Sequence, residues 1–362
     1  MNTTTSKIHI LFAIFFSFSL VGCAQSEIQK PPRNYVAYQT SSPPIIDGNG
    51  NEEDWQKANW SQSFIDIEGV KEPTYDTKVK MLWDENYYYI LAELKEPHVW
   101  ATLKQRDTII FYNNDFEVFI DPDNDTHNYY ETELNALNTV WDLMITKPYR
   151  ENNNPVVNDY TVVGLKTAIK INGTLNDPSD IDESWTVEMA IPWSAFKAGY
   201  YHDNVPRDAF WRVNFSRVNW DHDILEGRYS RKKDSNGKFL HEYNWVWSPT
   251  GVIDMHLPEK WGYVFFSTNS VDQEINFEIP KDEEMRWELF RLYRAQKQFF
   301  KKHKKYAATL TELNLKDPLL VNGAALTPQI ELHSTGWNAI AESPYTKSTF
   351  IMKEDGKIII KN

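Results

Sequence analysis

Apolar and polar residues alternate with a period of two along much of the chain, which is the pattern of strands with one buried face. In Asp115–Asp121, Phe116, Val118 and Ile120 fall on one face and Glu117 falls on the other. Further strand-like runs cover residues 78–83, 87–94, 139–145, 160–171, 185–191, 211–218 and 262–266. Because the runs are short and separated by Asn, Asp, Gly and Pro, they predict a mainly β domain at 45–266, folded as a two-sheet antiparallel β-sandwich.

A helical pattern replaces the alternation after Ser267. Apolar side chains recur at helical spacing between Met285 and Phe299, with three acids at 282–284 before them and lysines at 301–305 after them. This charge order suits the helix dipole. Strand-like runs follow at 348–352 and 357–360. Residues 267–362 are therefore predicted to form a small α+β module with a long N-terminal helix.

The N-terminus predicts the compartment. Lys7 precedes an apolar stretch, 8–21, that is shorter than the ~20 residues of a membrane span and is typical of a signal peptide. The stretch ends in Leu20-Val21-Gly22-Cys23, which resembles a bacterial lipobox. We expect a lipoprotein signal peptide at 1–22, lipidation of Cys23 and a proline-containing tether at 23–44. The predicted location is the bacterial cell envelope, with a lipid anchor in the outer membrane.

Composition excludes several classes of protein. The 362 residues carry a formal net charge of −13, which disfavours nucleic acid as a partner. Cys23 is the only cysteine, so an intramolecular disulfide and a cysteine-ligated zinc site are excluded. Aromatic residues make up 14% of the chain, so many of them must lie in a core or on a contact surface.

A family resemblance rests on several segments taken in order. They are Ile45-Ile46-Asp47-Gly48, Asp54-Trp55, Leu82-Trp83-Asp84-Glu85-Asn86-Tyr87-Tyr88-Tyr89, Asp115–Asp121, Tyr129-Tyr130-Glu131, Trp185-Thr186-Val187-Glu188, Ile191-Pro192-Trp193 and Trp261-Gly262. Together they resemble the family 9 carbohydrate-binding modules over residues 44–266. The resemblance implies a β-sandwich that binds sugars without catalysis and carries structural calcium. Residues around 295–307 are loosely similar to the globular part of pilin-like proteins, and no function is inferred from them.

The resemblance also implies a sugar site between aromatic rings, with acids and amides bonded to the hydroxyls. Glu117 matches a sugar-binding glutamate of the family, and the preceding aromatic falls near Phe111. The second aromatic wall falls in the loop before Trp261-Gly262, where Met255 replaces the family tryptophan. A family arginine falls near Asn138, which lacks a guanidinium group. The predicted carbohydrate-binding residues are Phe111, Tyr112, Glu117, Asn138 and His256.

Two acidic groups suggest further chemistry. Asp121, Asp123 and Asp125 cluster in a turn, and their oxygen-rich character suits calcium, so they are the predicted metal ligands. Glu131 and Glu133 share a strand face at about 7 Å, which keeps open the alternative of a glycoside hydrolase using paired acids.

A third reading is a structural envelope lipoprotein that binds protein partners. The preferred reading has no catalytic residues: the protein binds polysaccharide or oligosaccharide beside separate glycan-degrading enzymes.

Overall fold

The computed structural model of the protein describes residues 31–151, 154–197 and 205–361. The predicted signal peptide at 1–22 and the predicted lipidation site Cys23 lie outside these residues. Within the described ranges, no helix has both the length and the apolar character needed to cross a membrane.

Strands dominate the described part of the chain. Its two α-helices are α1 (Glu53–Lys57) and α2 (Lys281–His303), and short 3-10 helices occupy Ile110–Tyr112, Tyr149–Glu151, Trp193–Lys197 and Pro258–Lys260. The strands are β1 (Asn34–Gln39), β2 (Ile65–Asp66), β3 (Thr77–Trp83), β4 (Tyr87–Lys95), β5 (Asp115–Asp121), β6 (Tyr129–Asn135), β7 (Val140–Ile145), β8 (Val156–Val157), β9 (Lys166–Asn172), β10 (Ser184–Pro192), β11 (Ala209–Asn219), β12 (His222–Leu225), β13 (Arg228–Arg231), β14 (Tyr243–Val246), β15 (Gly262–Ser267), β16 (Leu319–Val321), β17 (Ala324–Leu326), β18 (Gln329–His333), β19 (Gly336–Glu342), β20 (Thr349–Lys353) and β21 (Ile358–Lys361).

The predicted mainly β sandwich is confirmed, as one large sheet curled into two layers. The order β8-β7-β6-β5-β11-β15 forms one layer, and β3-β4-β10-β9 forms the other. Strand β1 joins them, because it pairs with β15 and then with β3. Both β1 pairings are parallel, whereas the remaining pairings in the layers are antiparallel. The predicted inner residues Phe116, Val118 and Ile120 lie in the shared core.

The prediction of a tether at 23–44 is wrong for residues 34–39, which form β1. Tyr35 and Ala37 are buried in the sandwich core, and the whole strand is hydrogen-bonded to its neighbours. The prolines at 31–32 and 43–44 bracket this strand. The composition of residues 23–44 predicted a linker, but six of these residues form the strand that connects the two layers.

Three of the motifs that carry the family resemblance meet at one buried carboxylate. Glu188 Oε2 accepts hydrogen bonds from the backbone N–H groups of Asp47 and Gly48 at 3.0 and 2.8 Å, and its Oε1 accepts one from Trp55 Nε1 at 2.9 Å. Glu188 has no exposed surface. The segments around Asp47-Gly48 and Trp55, which are far from Glu188 in sequence, are thereby fixed to β10.

The C-terminal module has its own core. Strands β18–β21 form an antiparallel sheet, and the α2 residues Met285, Leu289 and Leu292 pack into a cluster that includes Trp337 of β19. Helix α2 has acids in its first turn and Lys301, Lys302 and His303 in its last turn, as the charge pattern predicted. The helix spans Lys281–His303, so the prediction of a long helix beginning near 280 is confirmed.

The module docks on the sandwich through polar contacts with two loops. In the loop after β5, Lys357 Nζ lies 2.7 Å from Asp125 Oδ2, and Arg286 Nη1 donates to Asn124 O at 2.6 Å. In the loop after β7, Lys147 Nζ lies 2.6 Å from Asp355 Oδ2. The described residues from Pro32 onward accordingly form one compact unit.

Candidate functional site

Four acids form a buried group on the outer face of the sheet, which we call the carboxylate cluster: Asp115, Glu117, Glu131 and Glu133. Antiparallel pairing sets Glu117 of β5 directly opposite Glu133 of β6, and Phe119 opposite Glu131. Because alternate residues of a strand point to the same side, the acids of both strands share this face. All four are buried. Glu117 is the most exposed of the four, at 6%.

Burial and mutual repulsion perturb the cluster. Burial, followed by the charge of Glu117, raises the pKa of Asp115 well above its usual range. Burial raises the pKa of Glu117 to about 7, with Glu242 adding to the effect. The pKa values of Glu131 and Glu133 are raised well above normal, again first by burial and then by the neighbouring acids. Four acids in one buried space favour protonation or a cation.

Glu131 and Glu133 lie two positions apart on β6, and at most 5% of either residue is exposed. Glycosidase carboxyl groups flank the scissile bond, about 5–5.5 Å apart in retaining enzymes and farther apart in inverting ones. The hydrolase alternative therefore requires a sugar to reach two buried side chains on one strand.

One flank of the cluster is formed by Phe111 and Tyr112, just before β5. The backbone N–H of Phe111 donates to Glu133 Oε2 at 3.0 Å, which ties this aromatic turn to the cluster. The Phe111 ring is partly buried and meets the Tyr112 ring edge-on at a centroid distance of 4.9 Å. Tyr112 is 43% exposed, and the guanidinium of Arg231 lies 4.7 Å from its ring centroid. Phe111 and Tyr112 therefore lie next to the carboxylate cluster that contains Glu117.

A second flank is formed by Tyr149 and the loop at 254–256. The Tyr149 ring is 40% exposed and lies 3.8 Å from the His256 ring, centroid to centroid. Burial, followed by the charges of Glu131 and Glu133, raises the pKa of Tyr149. Tyr149 is linked through the His256 ring to Tyr129 of β6, the strand that carries Glu131 and Glu133.

His256 is an internal contact of this second flank. Its Nδ1 lies 2.9 Å from the Tyr129 hydroxyl, and burial lowers its pKa to about 3, so the ring is neutral at physiological pH. Met255, which stands where the family has a tryptophan, packs in a cluster with Phe119 and Trp261. Its flexible thioether fills space beneath the loop.

Asn138 lies in the tight turn between β6 and β7 in a left-handed conformation, with φ of 59°. Its Nδ2 donates to the carbonyl oxygen of Thr167 in β9, at 3.2 Å. Since β9 belongs to the other layer, this contact ties the turn across the edge of the sandwich. The structure thus gives Asn138 a turn contact and does not bring its amide to the carboxylate cluster.

The predicted metal ligands Asp121, Asp123 and Asp125 do come together. One oxygen from each lies within 4.8 Å of the others. Asp121 Oδ2 accepts from the Thr126 N–H at 2.9 Å, whereas its Oδ1 is buried without a partner. Asp125 is already neutralised by Lys357 at 2.7 Å. Asp121 and Asp123 thus remain as the oxygens suited to a calcium ion.

Asp115 and Tyr149 belong to the candidate site but were not predicted from the sequence. Asp115 could have been predicted, because it lies two positions before Glu117 and therefore on the same strand face. Tyr149 had none, because it lies in a 3-10 turn whose position depends on contacts with distant segments.

Comparison with known proteins shows the family. The family model described as carbohydrate family 9 binding domain-like matches residues 46–243, which is more than half of the chain, and the chain belongs to this family.

Two curated proteins are similar to part of the chain. The chain is 27% identical over 162 residues to endo-1,4-beta-xylanase A of Thermotoga maritima, and 26% identical over 168 residues to exoglucanase XynX of Acetivibrio thermocellus. The alignments cover 45% and 46% of this chain but only 13% of each relative. A solved family 9 carbohydrate-binding module of Caldicellulosiruptor kristjanssonii, in complex with cellotriose, aligns at 14% identity with a TM-score of 0.39, over 68% of this chain and 100% of that one.

Proposed function

We propose that the protein is a non-catalytic glycan-binding lipoprotein of the bacterial cell envelope that holds polysaccharide or oligosaccharide beside separate glycan-degrading enzymes. The observation that carries this proposal is the carboxylate cluster together with the exposed rings of Tyr112 and Tyr149, which lie on two loops connected to its strands. Family membership supports carbohydrate as the ligand class.

The chemistry of the site suits a sugar. The apolar C–H face of a pyranose packs on an aromatic ring, and Tyr112 and Tyr149 offer ring surface at the two flanks. Rings held in place by neighbours lose little entropy on binding, and both tyrosines are so held, by Phe111 and His256. The hydroxyl groups of the sugar then face the carboxylate cluster, where Glu117 is the predicted contact.

The two alternatives make different demands. A hydrolase needs two carboxyl groups on either side of the scissile bond, and it would release reducing sugar from its substrate. A lipoprotein that binds only protein partners would co-purify with a stable complex and show no glycan affinity.

The test is a glycan screen of the full chain followed by calorimetry on the best ligand. Glu117→Gln removes the negative charge and is expected to weaken glycan affinity by about ten-fold or more, the effect of losing one charge-assisted hydrogen bond. The matched control is Glu53→Gln, at a side chain that is 81% exposed on α1. Equal affinity in wild type and Glu117→Gln would remove Glu117 from the site, and absence of binding across the screen would reject the proposal. Release of reducing sugar by the purified protein would favour the hydrolase instead.

The anchor is a separate part of the proposal, because it depends on Cys23. Palmitate labelling of cells that express the wild-type chain or Cys23→Ser checks it, with label and membrane retention expected for the wild type alone. Soluble, unlabelled wild-type protein would contradict the proposed localisation.

A structural calcium ion fits the turn after β5. Asp121 and Asp123 would hold it, and it would fix the turn without contacting glycan. Chelation is then expected to lower the melting temperature, and Asp123→Asn to reduce that response. A response unchanged by Asp123→Asn would place calcium elsewhere.

A further inference from the structure

The carboxylate cluster has the geometry of a cation site that is separate from the Asp121 group. One carboxylate oxygen each from Asp115, Glu117 and Glu133 lies within 4.8 Å of the others. Calcium binds oxygen at about 2.3–2.6 Å, so ligands on opposite sides of one ion stand about 4.6–5.2 Å apart. The three oxygens therefore fit around a single ion without rearrangement of β5 or β6.

Unpartnered atoms point to a missing ligand. Asp115 has no exposed surface, and its Oδ2 has no hydrogen-bond partner. Glu131 is 5% exposed, and its Oε2 is also without a partner. Buried acceptors are nearly always satisfied in native proteins, and an unsatisfied charged acceptor is costly.

The Asp121 group has a positively charged neighbour, because Lys357 Nζ of the C-terminal module lies 2.7 Å from Asp125 Oδ2. In the carboxylate cluster, by contrast, Asp115 Oδ2 and Glu131 Oε2 are buried without a hydrogen-bond partner. A bound cation would satisfy both oxygens.

The ligand set indicates which class of metal fits. All the converging atoms are carboxylate oxygens, and hard cations such as calcium prefer oxygen, whereas zinc sites usually contain nitrogen or sulfur. His256 is turned to the Tyr129 hydroxyl and is not part of the set.

We propose that Asp115, Glu117 and Glu133 bind a calcium-sized divalent cation on the outer face of the sandwich, with Glu131 beside it. Glu117 is then a metal ligand, and glycan hydroxyls meet the ion as well as the protein. The metal site itself stands without any sugar, whereas the hydroxyl contact rests on the proposed function.

The test is calorimetric titration of CaCl2 into the chelator-treated full chain in the absence of glycan. The wild type is expected to bind calcium at this site, and Asp115→Asn to lose that binding event or weaken it by at least about ten-fold. Asp123→Asn is the matched control, because it alters the other acidic group and leaves this event intact. Calcium binding unchanged in Asp115→Asn would overturn the proposal, and so would its complete loss in Asp123→Asn.

Melting curves show whether the variants are folded. Without metal, Asp115→Asn is expected to melt at or above the wild-type temperature, since one member of a repelling group has become neutral, yet to lose the stabilisation by calcium. If Asp115→Asn fails to fold, Glu133→Gln replaces it, because the amide oxygen still accepts from Phe111 N–H. If the cluster is protonated and holds no metal, calcium binding by Asp115→Asn and by Glu133→Gln will equal that of the wild type, and this result would reject the site. Glycan titration with and without calcium is then scored separately, so that calcium binding without glycan binding rejects only the proposed function.

Discussion

Replacement of Arg150 by methionine tests whether the C-terminal module holds the flank that carries Tyr149. Arg150 Nη1 bonds both carboxylate oxygens of Glu259, at 3.0 and 2.9 Å, and Arg150 Nε donates to the Tyr293 hydroxyl of α2 at 3.2 Å. Arg150 therefore connects the loop after β7, the segment before β15 and the C-terminal helix. Arg150→Met keeps a similar stem length and removes all these contacts.

The size of the effect follows from the burial of Glu259. Its side chain is 4% exposed, and removal of one partner from a buried ion pair costs about 3–5 kcal/mol, because the remaining charge is left without compensation. Arg294 Nη1 lies 3.3 Å from Glu259 Oε1 and offsets part of that cost. We therefore expect Arg150→Met to lower the free energy of unfolding by about 3 kcal/mol, at the lower end of that range.

Urea unfolding of the full chain, followed by tryptophan fluorescence, measures the change. The control is Arg291→Met on the same helix, whose partner Glu288 is a surface neighbour, and it is expected to cost less than about 1 kcal/mol. Combining Arg150→Met with Glu259→Gln is expected to recover much of the loss, because the stranded charge is gone. A loss below about 1 kcal/mol for Arg150→Met alone would refute the reasoning that the pair is buried and coupled.

Three further changes follow from the structure. Glu188→Ala leaves two backbone N–H groups and an indole N–H without an acceptor, and should lower the free energy of unfolding in urea by about 3 kcal/mol. Glu188→Gln should lower it by less, and an equal loss in the two variants would contradict this reasoning. Tyr149→Ala should weaken glycan affinity about ten-fold in calorimetry without lowering the melting temperature, and unchanged affinity would remove the ring from the site. Burial opposes ionisation of Asp355, but contacts with His127 and Lys147 outweigh it and hold the pKa of Asp355 below its usual range. The resulting stability is present above about pH 4 and is lost as the pH falls below it, so Asp355→Asn should flatten the acid limb of a stability–pH curve. Parallel curves would exclude that contribution.

Local patterns were sufficient to predict much of the fold. The alternation in β5 fixes which residues face the core, and the charge pattern of α2 gives its position, because both depend on neighbours close in sequence. Strand β1 was missed because its two pairings involve β15 and β3, and neither partner can be read from the composition of residues 23–44.

The site was predictable only in part, for the same reason. Phe111, Tyr112 and Glu117 lie on or next to one strand, so a match along the sequence places them together. Asn138 matched a family position by spacing, but its turn directs the amide to Thr167 of the opposite layer. Tyr149 contacts the His256 ring, which lies 107 positions later in the sequence, so no local pattern could indicate that the two residues are neighbours.

The docking contacts give the C-terminal module a physical connection to the site. Lys357 holds the loop after β5 through Asp125, and Asp355 holds the loop after β7 through Lys147. That second loop continues into Tyr149, whose neighbour Arg150 is bonded to Tyr293 of α2. The loop after β5 begins at a strand of the carboxylate cluster, and the loop after β7 carries Tyr149. We therefore expect movement of the module to displace the Tyr149 ring before it disturbs the sandwich core. Arg150→Met is therefore expected to lower glycan affinity as well as stability, whereas a purely local stabilising role would change stability alone.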